Sequence, residues 1–234
     1  MRAVILGCSH AAGAEMFKDP EITTTDPFNI GWQVSYPVLV AEQLGYSPEN
    51  YAISGGSNDA MFRIFNEQVA GIGPDDVVIA CWTGTSRTEI WHELAGYWLP
   101  VAPGGWPFNP LVASRLALSG QPAGGLIPLA DDYEAYRNQW IKYHSNPVAD
   151  QLNKLKNVLA LNSLAGSRSI PVINLNSFHP IPGTDSVTWA IDVPFSDWAQ
   201  QQGYPHTSSG HYFLAAHKAY ANLVVEAIQS ASNC

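Results

Sequence analysis

Charged residues are scarce in this chain, at 13%, and positive ones scarcer still: 11 Lys and Arg stand against 20 Asp and Glu, for a formal net charge of −9. A surface of that sign repels phosphate backbones and lacks the basic stripe that nucleic-acid binding needs, which excludes nucleic acid as a partner. Cysteine is nearly absent. Cys8, Cys81 and Cys234 form an odd and widely spaced set, so neither a disulfide framework nor a CxxC metal pattern is present, and reduced thiols are expected. Long apolar runs are missing too: no stretch approaches the roughly 20 residues of a membrane span. The opening MRAVILGCS has one basic residue and an apolar run of five, shorter than the about 7 to 15 residues of a secretory core segment. Its ILGC is similar to a lipoprotein cleavage box but has too little sequence before it. The expectation is a soluble product of cytoplasmic synthesis, with no signal peptide and no membrane partner. Its final location stays open, association with a virion or other large assembly included.

What the chain does have is apolar residues, at 46% of 234, enough for a sizeable core and far from the composition of disorder. One domain over 1–234 is the expectation. Ala3 to Leu6 form a short apolar run closed by Gly7, the pattern of a strand buried on both faces. Trp32 to Leu44 carry Tyr36, Leu39, Val40 and Leu44 on one helical stripe, and Gly45 follows as a stop. Tyr51 to Ile53 read as a second strand, Ala60 to Val69 as a helix, and Asp76 to Trp82 as a third strand. This alternation predicts an α/β fold, a three-layer α/β/α sandwich around a mostly parallel sheet. From about 97 to 130 the pattern dissolves into Pro, Gly and isolated aromatics such as Trp106 and Phe108, an irregular insertion or cap of the kind that often serves binding. Helices are then expected over Asp131 to His144, Val148 to Leu164 and Ser208 to Ile228, with a strand at Pro171 to Leu175.

In open α/β sheets, ligands bind beyond the carboxyl ends of the strands. Cys8, Ser9 and His10 follow the first strand, SGGSND follows the second, and WTGTSR follows the third, so three polar loops are expected to converge. A serine in such a turn is commonly only a cap or turn residue, and Gly55 and Gly56 are equally read as turn glycines. Asn58 is read either as a side-chain donor or as the cap of the following helix. Arg87 is read as a local ion-pair partner of Glu89 or as a substrate contact. His92 and Glu93 begin like a zinc-protease motif, but HELAG has no second His at the required place; no metal site is expected.

GCSHAAG after the first strand resembles the nucleophile block of the SGNH/GDSL hydrolases, and more closely that of divergent SGNH-like proteins found in phages. NYAISGGSN resembles their second block, and HTSSGHYFLAAHKAYA their terminal block. The likeness runs along the whole chain in order. It implies a flavodoxin-like SGNH fold, Ser9 as nucleophile, His206 as base, and an oxyanion hole built from the Ser9 and Gly55 N–H groups. It departs from the family at two places. VVIACWTGTSR has Thr83 or Gly84 where the third block has Asn, leaving Asn58 as a candidate replacement. Gly203 stands where the terminal block has Asp, leaving Asp192, Asp197 or a backbone carbonyl to orient the imidazole.

A serine hydroxyl becomes nucleophilic when an adjacent imidazole takes its proton, and preorganised N–H donors stabilise the tetrahedral oxyanion. The resemblance therefore implies a serine esterase that works through an acyl-enzyme on a small ester, an O-acetylated carbohydrate included, and needs no cofactor. His10, Thr83 and Arg87 are the candidate pocket residues. The two departures support a competing reading, a non-catalytic glycan-binding or structural module, virion-associated in one version.

Overall fold

The computed structural model describes residues 1–22, 30–92, 97–101, 130–178, 183 and 186–232. Four strands, β1 (Arg2–Gly7), β2 (Ser47–Asn50), β3 (Val77–Trp82) and the later Val172–Asn176, form one sheet in the order β2-β1-β3-(Val172–Asn176), and every pairing is parallel. Between β3 and that last strand, β4 (Thr88–His92) and β5 (Tyr97–Val101) make a separate antiparallel pair, so Val172–Asn176 is β6. The helices are α1 (Ile30–Val34), α2 (Tyr36–Gln43), α3 (Asn58–Gln68), α4 (Ala130–His144), α5 (Pro147–Ser167), α6 (Phe195–Gln201) and α7 (Leu214–Ser232).

Side chains alternate across a strand, and here the alternation divides the core in two. Ala3 and Ile5 of β1 with Val77, Ile79 and Cys81 of β3 face one way, onto Tyr36 and Val40 of α2 and Tyr220 and Val224 of α7. Val4 and Leu6 with Val78, Ala80 and Trp82 face the other way, onto Met61 and Phe65 of α3 and Val158 and Leu161 of α5. Strands apolar on both faces must be covered twice, and the expected α/β/α layering results. His217 of α7 is fully buried and its Nδ1 accepts a hydrogen bond from the Tyr36 N–H at 3.0 Å, stitching α7 to the start of α2. Burial, with His211 nearby, pushes the His217 imidazole down to about 3 against the opposing bond with Tyr212, so it stays a neutral acceptor.

Several sequence expectations need adjustment. The helix expected over Trp32 to Leu44 is broken at Ser35 into α1 and α2, with Pro37 in the first turn of α2, where its missing N–H costs nothing. The second strand lies at Ser47–Asn50 rather than Tyr51 to Ile53. It is an edge strand, and its Pro48 is tolerated there. The expected residues still continue the ladder, with Tyr51 N donating to Ile5 O at 2.8 Å and Ile53 N to Gly7 O at 3.0 Å. The last helix begins at Leu214, not Ser208, and the short α6 had no sequence signal. Within the stretch from about 97 to 130, residues 97–101 are β5, whereas Trp106 and Phe108 lie outside the described residues. No described helix is long and apolar enough to cross a membrane.

Candidate active site

Because β1, β3 and β6 run parallel, their carboxyl ends share one edge. Beyond Gly7 the chain winds straight into tight turns: Ala12 N donates to Cys8 O and Ala14 N to Ser9 O, both at 2.8 Å. Small residues make this winding feasible. A Cβ on Gly7 would stand 2.5 Å from Ala11 Cβ, and Gly13, at φ +61°, lies backbone against backbone on Gly31 of α1, where a Cβ would come within 2.0 Å of Gly31 O. Asn50 at the end of β2 anchors the same turn, its Nδ2 donating to Ala11 O at 3.0 Å. The bond from Ile53 N to Gly7 O brings the SGGSND loop alongside. In that loop Gly55 has φ +81° with nothing within 4 Å of a Cβ, so conformation and not space demands glycine there. Among the described residues, neither the Ser9 N–H nor the Gly55 N–H is taken by a hydrogen bond, and Ser9 Oγ is likewise unengaged, with Ser9 4% exposed.

The imidazole with an acidic partner at this edge is His211. Its Nδ1 lies 2.9 Å from Glu15 Oε2, and its ring centre is 5.3 Å from that of His10, the residue after Ser9. Glu15 sits at the end of the turns that begin at Ser9, in a left-handed conformation with φ +63°. A non-glycine residue held there stores strain that the surroundings must offset. They do so with a dense set of donors: Thr207 Oγ1 at 2.6 Å, the Ser209 hydroxyl, and Lys18 Nζ. Burial pushes the Glu15 carboxyl up, but the bonds from Lys18, Ser209, Thr207 and His211 outweigh it and bring it down to about 2. The carboxylate is therefore charged at neutral pH. Burial lowers the His211 imidazole below its ordinary value, Glu15 works against that, and the charges of Arg87 and Lys18 add to the lowering.

His206, the base that the resemblance implies, has different surroundings. It is exposed, its Nδ1 faces the Thr207 carbonyl at 2.7 Å, and its ring stands edge-on to Tyr212 at 5.5 Å. The reason is the tight turn between the two imidazoles. Thr207 N donates to His211 O at 2.8 Å and Gly210 N to Thr207 O at 2.9 Å, with Gly210 at φ +81°, and this swings the second His of HTSSGH back onto Glu15. Asp192 is exposed, and Asp197 accepts from Ser196 Oγ at 3.1 Å. The carboxylate that does meet an imidazole is Glu15, on His211, and its signal in the sequence was a lone carboxylate within the small-residue run HAAGAEM.

Asn58 is not the cap of its helix. Ser57 is, its Oγ accepting from Ala60 N at 3.0 Å. The Asn58 amide instead reaches the loop after β3: its Oδ1 accepts from Thr83 N at 3.0 Å, and its Nδ2 is 3.4 Å from Thr83 O and 3.3 Å from Gly84 O. Among the described residues, the buried Thr83 Oγ1 and the buried Arg87 Nη1 have no hydrogen-bond partner. The Arg87 guanidinium lies 5.0 Å over Phe178, whose ring is 4.9 Å from that of His10. His10 itself is buried among these rings, and burial, then the charges of His211, His217 and Arg87, hold it well below the ordinary histidine range. Glu89 pairs with Arg63 at 2.8 Å, not with Arg87.

No family model matches this chain. Over 104 residues, 43% of its length, it is 25% identical to the major capsid protein of Leishmania RNA virus 1-1 (isolate Leishmania guyanensis), and the match spans 14% of that protein. Among solved structures, it is similar to an acetyl xylan esterase, Est2A, from the rumen bacterium Butyrivibrio proteoclasticus, with 11% identity and a TM-score of 0.49 over 99% of this chain and 64% of that one. It is also similar to a lipolytic protein of the G-D-S-L family from Desulfitobacterium hafniense DCB-2, with 11% identity and a TM-score of 0.40 over 97% of each chain. At these scores neither likeness carries an assignment to this chain.

Proposed function

We propose that the protein is a serine ester hydrolase in which Ser9 attacks the substrate, His211 is the general base, and Glu15 orients that base. The observation that carries this reading is the Glu15–His211 contact at 2.9 Å, at the end of the turns that start from Ser9. A charged carboxylate on Nδ1 favours the tautomer with its proton there, which leaves the Nε2 lone pair to accept one. The Ser9 hydroxyl gives its proton to His211 Nε2 as Oγ attacks the ester carbonyl carbon. The N–H groups of Ser9 and Gly55, unengaged among the described residues, are the donors for the oxyanion. Collapse breaks the bond to the leaving alkoxide, which takes the proton from His211. Water, deprotonated by the same imidazole, then attacks the acyl-enzyme and releases the carboxylic acid and free Ser9. Asn58, expected as a third oxyanion donor, is assigned to holding the loop after β3.

The substrate in this reading is a small ester, and an acetyl ester fits a nucleophile as enclosed as Ser9. The competing binding-module reading drew on the absent third-block Asn and the absent acid at Gly203; in the hydrolase reading Glu15 supplies the acid from the other end of the chain, and the oxyanion hole works with two N–H donors and no Asn. A fluorophosphonate probe tests the proposal. Labelling at Ser9 is expected in the wild type, lost in Ser9→Ala, reduced at least about a hundredfold in rate in His211→Ala, and kept in His206→Ala. Loss in His206→Ala with retention in His211→Ala overturns the base assignment. A folded wild type that never labels overturns the hydrolase reading.

A further inference from the structure

Beside the Ser9 edge, a groove of about 580 Å³ runs between α3, the N-terminal part of α5, the end of α4 and the β4–β5 pair. Its size is that of an ordinary small-molecule site. We infer that this groove holds the saccharide part of an acylated oligosaccharide, so that the ester reaches Ser9 while the sugar chain lies over Trp98 and Trp140; this rests on the hydrolase reading for the ester and on the groove alone for the sugar.

The lining joins two kinds of surface. Phe62, Trp98 and Trp140 supply aromatic rings to the lining, and Asn66, His144 and Asp150 supply planar or branched hydrogen-bonding groups. A pyranose has this same division, apolar C–H faces and a rim of hydroxyls, and aromatic stacking with rim hydrogen bonds satisfies both. The platform is braced in advance. Arg63 sits 5.8 Å from the Trp98 ring centre while its fork is held by Glu89 at 2.8 and 3.0 Å, and Trp91 meets the Trp98 edge at 5.7 Å. Asp59, also in the lining, is fixed by Asn153, Asn157 and Thr88 at 2.6 to 3.0 Å. A preordered site spends less binding energy on immobilising its own side chains.

Other ligand classes fit less well. An acyl chain laid here would strip water from Asp59, Glu89 and Arg63 and return no hydrogen bond. A phosphorylated ligand would meet three carboxylates, Asp59, Glu89 and Asp150, against two guanidinium groups, of which Arg63 is already paired with Glu89 and Arg87 alone is left to face it. Arg87 supplies the continuity. It lines the groove, its buried Nη1 has no partner among the described residues, and it stacks over Phe178, which in turn packs on His10 next to Ser9. An acceptor on the ester-bearing sugar is the partner that this N–H lacks.

The test uses the full chain with Ser9→Ala, which binds without turnover. It is titrated by calorimetry with xylohexaose, cellohexaose and chitohexaose. At least one is expected to bind with a Kd below about 1 mM, to lose at least about tenfold in affinity when Trp140→Ala is added, and to recover most of it with Trp140→Phe. In the active enzyme, Trp140→Ala should lower the ratio of kcat/KM on the acetylated form of that hexasaccharide to kcat/KM on an aryl acetate by at least about tenfold. Far-UV circular dichroism checks that the variants fold, and the Phe variant keeps the test open if the Ala variant does not. Hexasaccharide binding without ester turnover upholds the groove assignment while the hydrolase reading fails. Aryl-acetate turnover with none of the three bound, or binding of an unfolded polypeptide in their place, overturns it.

Discussion

Replacing Glu15 with Gln keeps the shape of the side chain and removes its charge, which makes it a sharp probe of the network at the sheet edge. Its carboxyl falls from an ordinary 4.5 to about 2 in the folded protein. At about 1.4 kcal/mol per tenfold, that depression corresponds to about 3 kcal/mol of stability. Lys18 is 45% exposed, and an ion pair so open to solvent contributes little, so about 2 kcal/mol is the expected share. The pH dependence follows from the direction. A carboxyl lowered by folding stabilises above its unfolded value and loses that contribution as pH falls from 4.5 towards 2. Urea unfolding should therefore show Glu15→Gln about 2 kcal/mol less stable than wild type at pH 7, with the two curves converging near pH 2, where the wild-type carboxyl is protonating. All other acids are common to both proteins and cancel in the difference. In the same variant the acid limb of kcat/KM should move to lower pH, because the carboxylate that raises the His211 pKa has gone, and the plateau should fall at least about a hundredfold. A gap of equal size at both pH values, or none at pH 7, refutes the reasoning.

Two further outcomes are expected. Asn58→Ala leaves the buried Thr83 N–H without its acceptor and should cost about 1 to 3 kcal/mol in urea unfolding; an unchanged midpoint would show that the loop after β3 does not need this tie. Gly31→Ala drives a Cβ to within 2.0 Å of the Gly13 carbonyl oxygen, a backbone clash that no rotamer relieves. It should cost at least about 3 kcal/mol and lower fluorophosphonate labelling of the molecules that still fold, whereas Gly45→Ala, with open space around it, should cost only the strain of its φ of +83°.

The layers were legible in the sequence because burial on two faces leaves a plain mark. Val4 to Leu6 and Val77 to Trp82 are unbroken apolar runs, and such runs are strands only when helices cover both sides. The meeting of the Ser9, Gly55 and Thr83 loops was legible for the same reason, since parallel strands end on one edge. What the sequence left open was local and polar. In HTSSGH two imidazoles stand five residues apart, and periodicity does not say which one a tight turn will bring inward. Glu15 was hidden by a related difficulty: its partners Thr207, Ser209 and His211 are 192 to 196 positions away, beyond the reach of any local pattern. Asn58 showed a third limit, because Ser57 and Asn58 are both good caps and the choice was decided by Thr83, in the loop after β3.

The span between Glu15 and His211, 196 positions, also bears on synthesis at the ribosome. A nascent chain that has emerged through most of its strands already carries Glu15, yet His211 is still inside the exit tunnel. The Tyr36 amide waits nearly as long for His217, 181 positions on. Translation therefore delivers the Glu15 partner and the buried clamp of α7 on α2 together, and under the proposed hydrolase reading the site would stay silent until the fold can close.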